Sequence, residues 1–168
     1  QDVALSEKGT SFSLTADGHT RRLTTPLVGT FQADNAAVAL AMLWGAGGRW
    51  RAIAEGAEHS LAHVHLAGRF HRWGRWLFDV AHNADGAETV VANMRATGSP
   101  HPVVAVVTVL RDKDWRGILR AVGAVADRVL ITTAPTAPAS RAWSLTEVER
   151  WAREEALPVE RIDDFDAA

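Results

Sequence analysis

Polar residues gather where an apolar run gives way to a helix-forming segment, in Leu77-Phe78-Asp79-Val80-Ala81-His82-Asn83-Ala84-Asp85-Gly86. A carboxylate such as Asp79 can accept from ribose hydroxyls, and an imidazole such as His82 can donate a hydrogen bond or act as general base near neutral pH. The helix N-terminus that follows offers unpaired amides and a partial positive charge to an anion. A second candidate is Lys113, one of only two lysines (the other is Lys8) among 18 basic residues. It lies in Leu110-Arg111-Asp112-Lys113-Asp114, directly after another apolar run, where an ammonium could hold a carboxylate. Each residue type also has a plain structural use. Asp79 and Asn83 can cap a turn, and His82 or Lys113 can be a solvated surface group, so residue chemistry alone leaves both readings open.

The elements that must position these residues follow from pattern. Ser11 to Leu23 alternates apolar and polar around Ala16-Asp17-Gly18-His19, and Asp-Gly supplies the positive φ angles of a tight hairpin. Gln32 to Leu43 is built of good helix formers and ends at Gly45-Ala46-Gly47-Gly48; it reads as a helix buried on most of its surface. A second helix is expected from Trp50 to Ser60, leading into an irregular stretch, Ala62 to Gly68, that marks a domain boundary between residues 1–66 and 67–168. Beyond it, strand and helix alternate, which predicts an α/β fold with a mostly parallel sheet covered by helices. Trp76 to Val80 is the expected first strand and Asp85 to Thr97 its helix, stopped by Gly98-Ser99-Pro100. Val103 to Val109 reads as a strand buried on both faces. Asp114 to Val125 is the next helix and Arg128 to Thr132 the next strand. Ser144-Leu145-Thr146-Glu147 forms a capping box that opens another helix, and Val159 to Ile162 is a short last strand.

Four segments together carry a family resemblance. Asp79-Val80-Ala81-His82-Asn83 resembles the D-[GV]-A-H-N-P signature of the folate-adding ligases, a branch of the Mur ligase superfamily. Gly29-Thr30-Phe31-Gln32-Ala33-Asp34-Asn35-Ala36 resembles their G-x-H-Q-x-x-N-A helix start, Gly68-Arg69-Phe70 their P-G-R-x-E junction, and Val109 to Asp114 their M-x-x-D-K-D loop. The four occur in the family's order and spacing. The chain thus resembles the C-terminal part of folylpolyglutamate synthase/dihydrofolate synthase. That resemblance implies the end of a central ATPase domain over 1–66, then a Rossmann-like C-terminal domain over 67–168, truncated at its end. It implies ATP-binding roles for Asn35, Arg69 and Asp79, a place for His82 beside the incoming glutamate, and a glutamate-holding role for Lys113. Phe31, Ala67 and Ala84 depart from the family's His, Pro and Pro. The implied reaction is ATP-dependent amide formation between glutamate and a folate or pteroate, through an acyl phosphate.

The same reading sets bounds. No G-x-x-x-x-G-K-[ST] phosphate loop occurs, so this chain by itself is not expected to hydrolyse ATP. Its magnesium ligands are expected upstream, on the missing N-terminal ATPase domain. A net charge of -2 with interspersed signs offers no field for nucleic acid or a membrane. The absence of cysteine agrees with a cytoplasmic setting. A monomer is expected. His59, His63 and His65 lack partners at metal-ligand spacing, so no metal site is assigned to them. The seven tryptophans are scattered without a basic cluster and read as packing residues, with Trp73 and Trp76 flanking the junction. Two other functions fit the residues: a peptidoglycan-precursor ligase of the same superfamily, and a non-catalytic nucleotide-binding module.

Overall fold

The computed structural model describes residues 2–16 and 18–168. Asp17 of the expected hairpin turn lies outside the described residues. The chain divides into two compact units, Gln1–Val80 and Ala81–Ala168.

In the first unit, β1 (Val3–Ser6), β2 (Gly9–Ala16) and β3 (His19–Thr25) form an antiparallel sheet in sequence order. The register sets Phe12 opposite both Val3 and Leu23, so one sheet face is apolar. Helix α1 (Thr30–Ala46) covers it with Ala33, Ala36 and Leu40, small residues that let helix and sheet approach closely. This helix is not buried on most of its surface, as its composition suggested. Val38 and Met42 are 60% and 71% exposed, because only one stripe meets the sheet. The second expected helix is two, α2 (Gly48–Glu55) and α3 (Ala57–Ala62), broken at Gly56. Arg21 spans the break, donating to the carbonyls of Ala54 and Glu55 at 3.4 and 2.7 Å and to Glu58 at 3.2 Å.

Two short strands follow, β4 (His71–Trp73) and β5 (Trp76–Phe78), paired antiparallel through Trp73 and Trp76. Trp76 to Val80 is therefore not the first strand of the parallel sheet. A two-residue connection, Gly74-Arg75, folds it back on the preceding segment, and Gly74 takes the positive φ (58°) this turn requires. Trp73 and Trp76 are 70% and 50% exposed.

The second unit contains α4 (Ala84–Thr97), β6 (Val104–Val107), α5 (Trp115–Gly123), β7 (Arg128–Ile131), α6 (Leu145–Glu154) and β8 (Val159–Arg161). The strands form a parallel sheet in the order β6-β7-β8. The helices pack on one face of this sheet. Ala105, Val107, Val129, Ile131 and Val159 point to that face and meet Ala87, Ile118, Leu119 and Val148 from the helices. The expectation that the Val103–Val109 run is buried on both faces fails: Val104 and Val106 on the other face are 49% and 46% exposed. β6 is an edge strand whose apolar residues are covered on one side. Gly98 ends α4 in the left-handed conformation, with the Ser99 amide returning to Met94 at 3.0 Å. At α6 the expected capping box is half formed. Ser144 accepts from the Glu147 amide at 3.3 Å, while the Glu147 carboxylate turns to Arg116 at 3.0 Å.

Candidate functional site

Arg69 stands on a turn that its neighbours hold open. Gly68 and Phe70 both have positive φ, 70° and 47°. For Phe70 this is an uncommon conformation. Three features hold it there: the Phe70 side chain is 4% exposed, its amide donates to Asp79 Oδ2 at 2.7 Å, and the Val80 amide donates to the Gly68 carbonyl at 3.0 Å. A Cβ at position 68 would lie 2.9 Å from Val80 Cγ1, so glycine suits both the φ and the space. The buried ring anchors the turn, and the Arg69 side chain is exposed. Sequence reasoning treated Arg69 and Asp79 as separate ligands. In the structure Asp79 commits one carboxylate oxygen to the turn that carries Arg69. Asn35 lies elsewhere in this unit, exposed on α1, its amide 3.4 Å from Gln32 Oε1.

The second unit holds the other two candidates. Helix α4 is capped by Asn83, which accepts from the Gly86 amide at 2.8 Å. Helix α5 is capped by Asp114, which accepts from the Gly117 amide at 3.0 Å. These two helix starts lie against each other: a Cβ placed on Gly117 would be 2.6 Å from Ala84 Cβ and 2.5 Å from Asp114 Oδ2. Only the missing side chain at 117 permits the approach. Two positive helix ends therefore converge, with His82 exposed just before one and Lys113 partly exposed just before the other.

The Lys113 loop is braced by residues that sequence reasoning missed. Arg141 ends a 3-10 turn (Ala139–Arg141) and grips Asp112 with two parallel bonds, Nε to Oδ1 at 3.0 Å and Nη2 to Oδ2 at 2.8 Å. The Arg141 fork holds the Asp112 carboxyl below its ordinary value, and Asp112 raises Arg141 in return. Backbone ties reinforce the grip: the Arg111 amide donates to the Arg141 carbonyl at 2.9 Å, and Leu110 bridges Ala142. Lys113 Nζ sits 3.8 Å from Asp112 Oδ2, much farther than the Arg141 nitrogen. No short-range sequence signal pairs residues 29 positions apart.

Asn35, Arg69 and Asp79 thus belong to the first unit, and His82 and Lys113 to the second. Taken unit by unit, an exposed guanidinium, an amide and a carboxylate in the first, and an ammonium and two helix N-termini in the second, are groups that can meet anionic or polyhydroxyl ligands. Among the described residues, no group of three or more His, Asp or Glu side chains could hold a metal ion. His63 instead bonds the His59 carbonyl through Nδ1 at 2.7 Å. No helix among the described residues is long and apolar enough to cross a membrane.

The chain is similar to proteins of known family. Residues 68–168 match the family model described as Mur ligase, glutamate ligase domain. The dihydrofolate synthase/folylpolyglutamate synthase of Mycobacterium tuberculosis is 32% identical over 147 residues, which cover 83% of this chain and 30% of that protein. The UDP-N-acetylmuramoyl-L-alanyl-D-glutamate–2,6-diaminopimelate ligase of Caulobacter vibrioides is 30% identical over 133 residues, covering 74% and 26%. Among solved structures, M. tuberculosis folylpolyglutamate synthase complexed with ADP and AMPPCP superposes with a TM-score of 0.77 at 26% identity, over 97% of this chain and 37% of that one. The chain therefore spans about a third of the length of these relatives or less. With its α/β fold and a family match over residues 68–168, the chain belongs to the Mur ligase family.

Proposed function

We propose that this chain is part of an ATP-dependent ligase that joins glutamate to a folate or to dihydropteroate, and that its second unit supplies the groups handling glutamate. The observation that carries this reading is the convergence of the α4 and α5 starts at Ala84 and Gly117, with Lys113 beside them. A dicarboxylic amino acid needs cationic and amide donors at short spacing, and two helix N-termini with one ammonium supply them. The relatives named as dihydrofolate synthase/folylpolyglutamate synthase support the same choice.

In the reaction, a carboxylate oxygen of the folate or pteroate attacks the γ-phosphorus of ATP, giving an acyl phosphate and ADP. The glutamate amine then attacks the acyl carbon and phosphate leaves. That amine must lose a proton before it can attack, and His82, exposed ahead of α4, is the proposed acceptor. Lys113 holds a glutamate carboxylate and so orients the amine. Arg69 is the proposed phosphate ligand, Asp79 the ribose acceptor and Asn35 the adenine partner. Magnesium, which such a phosphoryl transfer uses, is assigned to no residue of this chain. The complete enzyme would act as a monomer in the cytoplasm, with its ATPase domain carried by further chain.

A second reading, a peptidoglycan-precursor ligase, is favoured by the similarity to the Caulobacter enzyme. The product of the open reading frame that encodes this chain should be assayed for ADP release with ATP and L-glutamate. Dihydropteroate, a tetrahydrofolate and a muropeptide precursor should be offered in turn. Turnover with a pteroate or folate is expected; turnover with the muropeptide precursor alone would overturn the assignment. Replacing Asp79 with Ala in the same protein should weaken ATP, and an unchanged ATP affinity would refute its role.

A further inference from the structure

The Asp112–Arg141 pair lies outside the assigned ligands yet touches the loop that carries one of them. An unneutralised carboxylate adjacent in sequence to Lys113 would be a permanent competitor for its ammonium, at an effective concentration no free glutamate could match. The geometry weakens that competitor, leaving Lys113 and Asp112 only a long ion pair. Both Asp112 oxygens accept from the Arg141 fork, at 3.0 and 2.8 Å, while Lys113 Nζ stays 3.8 Å away. A bidentate guanidinium pair satisfies the carboxylate in a way a lysine point charge cannot. The Arg111 amide on the Arg141 carbonyl and the Lys113 amide on the Leu110 carbonyl, at 2.9 and 3.0 Å, fix the loop backbone at the same place. Asp114, the other carboxylate beside Lys113, caps Gly117 at 3.0 Å.

We propose that Arg141 is a positioning residue for glutamate binding, occupying Asp112 so that the Lys113 ammonium is left for a substrate carboxylate. The inference rests on the reading that Lys113 holds glutamate. It separates from a purely structural brace by charge logic. If Arg141 only braced the loop, removing the Asp112 charge would not repair its loss.

The test uses the complete enzyme, with L-glutamate varied at saturating ATP and acceptor. Lys113→Ala should raise the glutamate KM; if it does not, the underlying reading fails and this inference with it. Arg141→Ala should raise the glutamate KM roughly fivefold, as expected for one exposed ion pair, with kcat and the KM for ATP unchanged. Adding Asp112→Asn to Arg141→Ala should return the glutamate KM to within about twofold of wild type, a coupling that a shared interaction predicts. A raised KM in Lys113→Ala with a wild-type KM in Arg141→Ala would overturn the proposal, as would failure of the double variant to recover. Should Arg141→Ala not fold, Asp112→Asn alone decides: an unchanged or lower glutamate KM is expected, and a rise would contradict the role.

Discussion

The two units close their cores differently. In the second, three helices lie on one face of a parallel sheet, and the core holds Trp115, Ile118, Leu119, Ile131 and Trp143, all buried. In the first, a helix of small residues lies on an antiparallel sheet around Phe12 and Leu23, while Val38, Met42, Trp50 and Ile53 stay exposed. Large interlocked side chains fix element positions, as the proposed site at two helix starts would require. Alanine-rich packing fixes the approach of helix and sheet but leaves the outer apolar stripe of α1 without a partner among the described residues. Precision, on this comparison, resides where the proposed glutamate groups are.

Substitutions can break that contrast. Leu119→Ala, at a fully buried position, should cost about 2–5 kcal/mol of stability in the second unit. Met42→Ala, 71% exposed on α1, should stay within about 0.5 kcal/mol. Denaturant titration of each variant measures both, and similar losses would erase the distinction. Two helical glycines sharpen it further. Gly117→Ala drives a Cβ into Ala84 and Asp114 and should cost about 1–3 kcal/mol. Gly45→Ala meets nothing within 4 Å in α1 and should stabilise by about 0.5–1 kcal/mol. A smaller effect is expected at Thr132, fully buried with its Oγ1 unpartnered. Thr132→Val keeps the shape, removes the orphan hydroxyl and should be neutral or stabilising by up to about 1 kcal/mol in thermal melts.

The smallest effect is that of pH. Asp112, Asp127 and Glu155 have lowered carboxyl values, caused first by the Arg141 bond, the Val103 amide and the Arg120 bond respectively. A depressed folded value means the unfolded chain binds protons first. Their stabilisation is therefore present above the ordinary carboxylate range and lost as pH falls through and below it. All three pairs are solvent-exposed, so the loss should be modest and shrink in high salt. Melting temperature followed between neutral pH and the carboxylate range, with and without salt, checks both signs.

Much of this architecture can be read from residue order. Gly18 (φ 75°) between alternating segments, Gly98 after an apolar-periodic helix and the cap residue Ser144 each mark an element boundary by local chemistry that tertiary structure did not override. Trp76-Leu77-Phe78 was misread because three apolar residues look alike in a parallel strand and in a hairpin arm; its partner, His71-Arg72-Trp73, carries little strand signal. Gly56 was passed over since a lone glycine is tolerated inside a helix. The candidate residues were legible through motif, one stretch at a time. Their supports were not: Asp112 with Arg141, Ala84 against Gly117 and Asp79 on the Phe70 amide are tertiary pairings between residues that no short period relates.

Amide NMR of the labelled 168-residue chain, titrated with L-glutamate, probes the proposed glutamate site most directly. Shifts concentrated at His82 to Gly86 and at Asp112 to Gly117 are the expected result. Shifts confined to other segments, or none at saturating glutamate, would contradict a glutamate site at the paired helix starts.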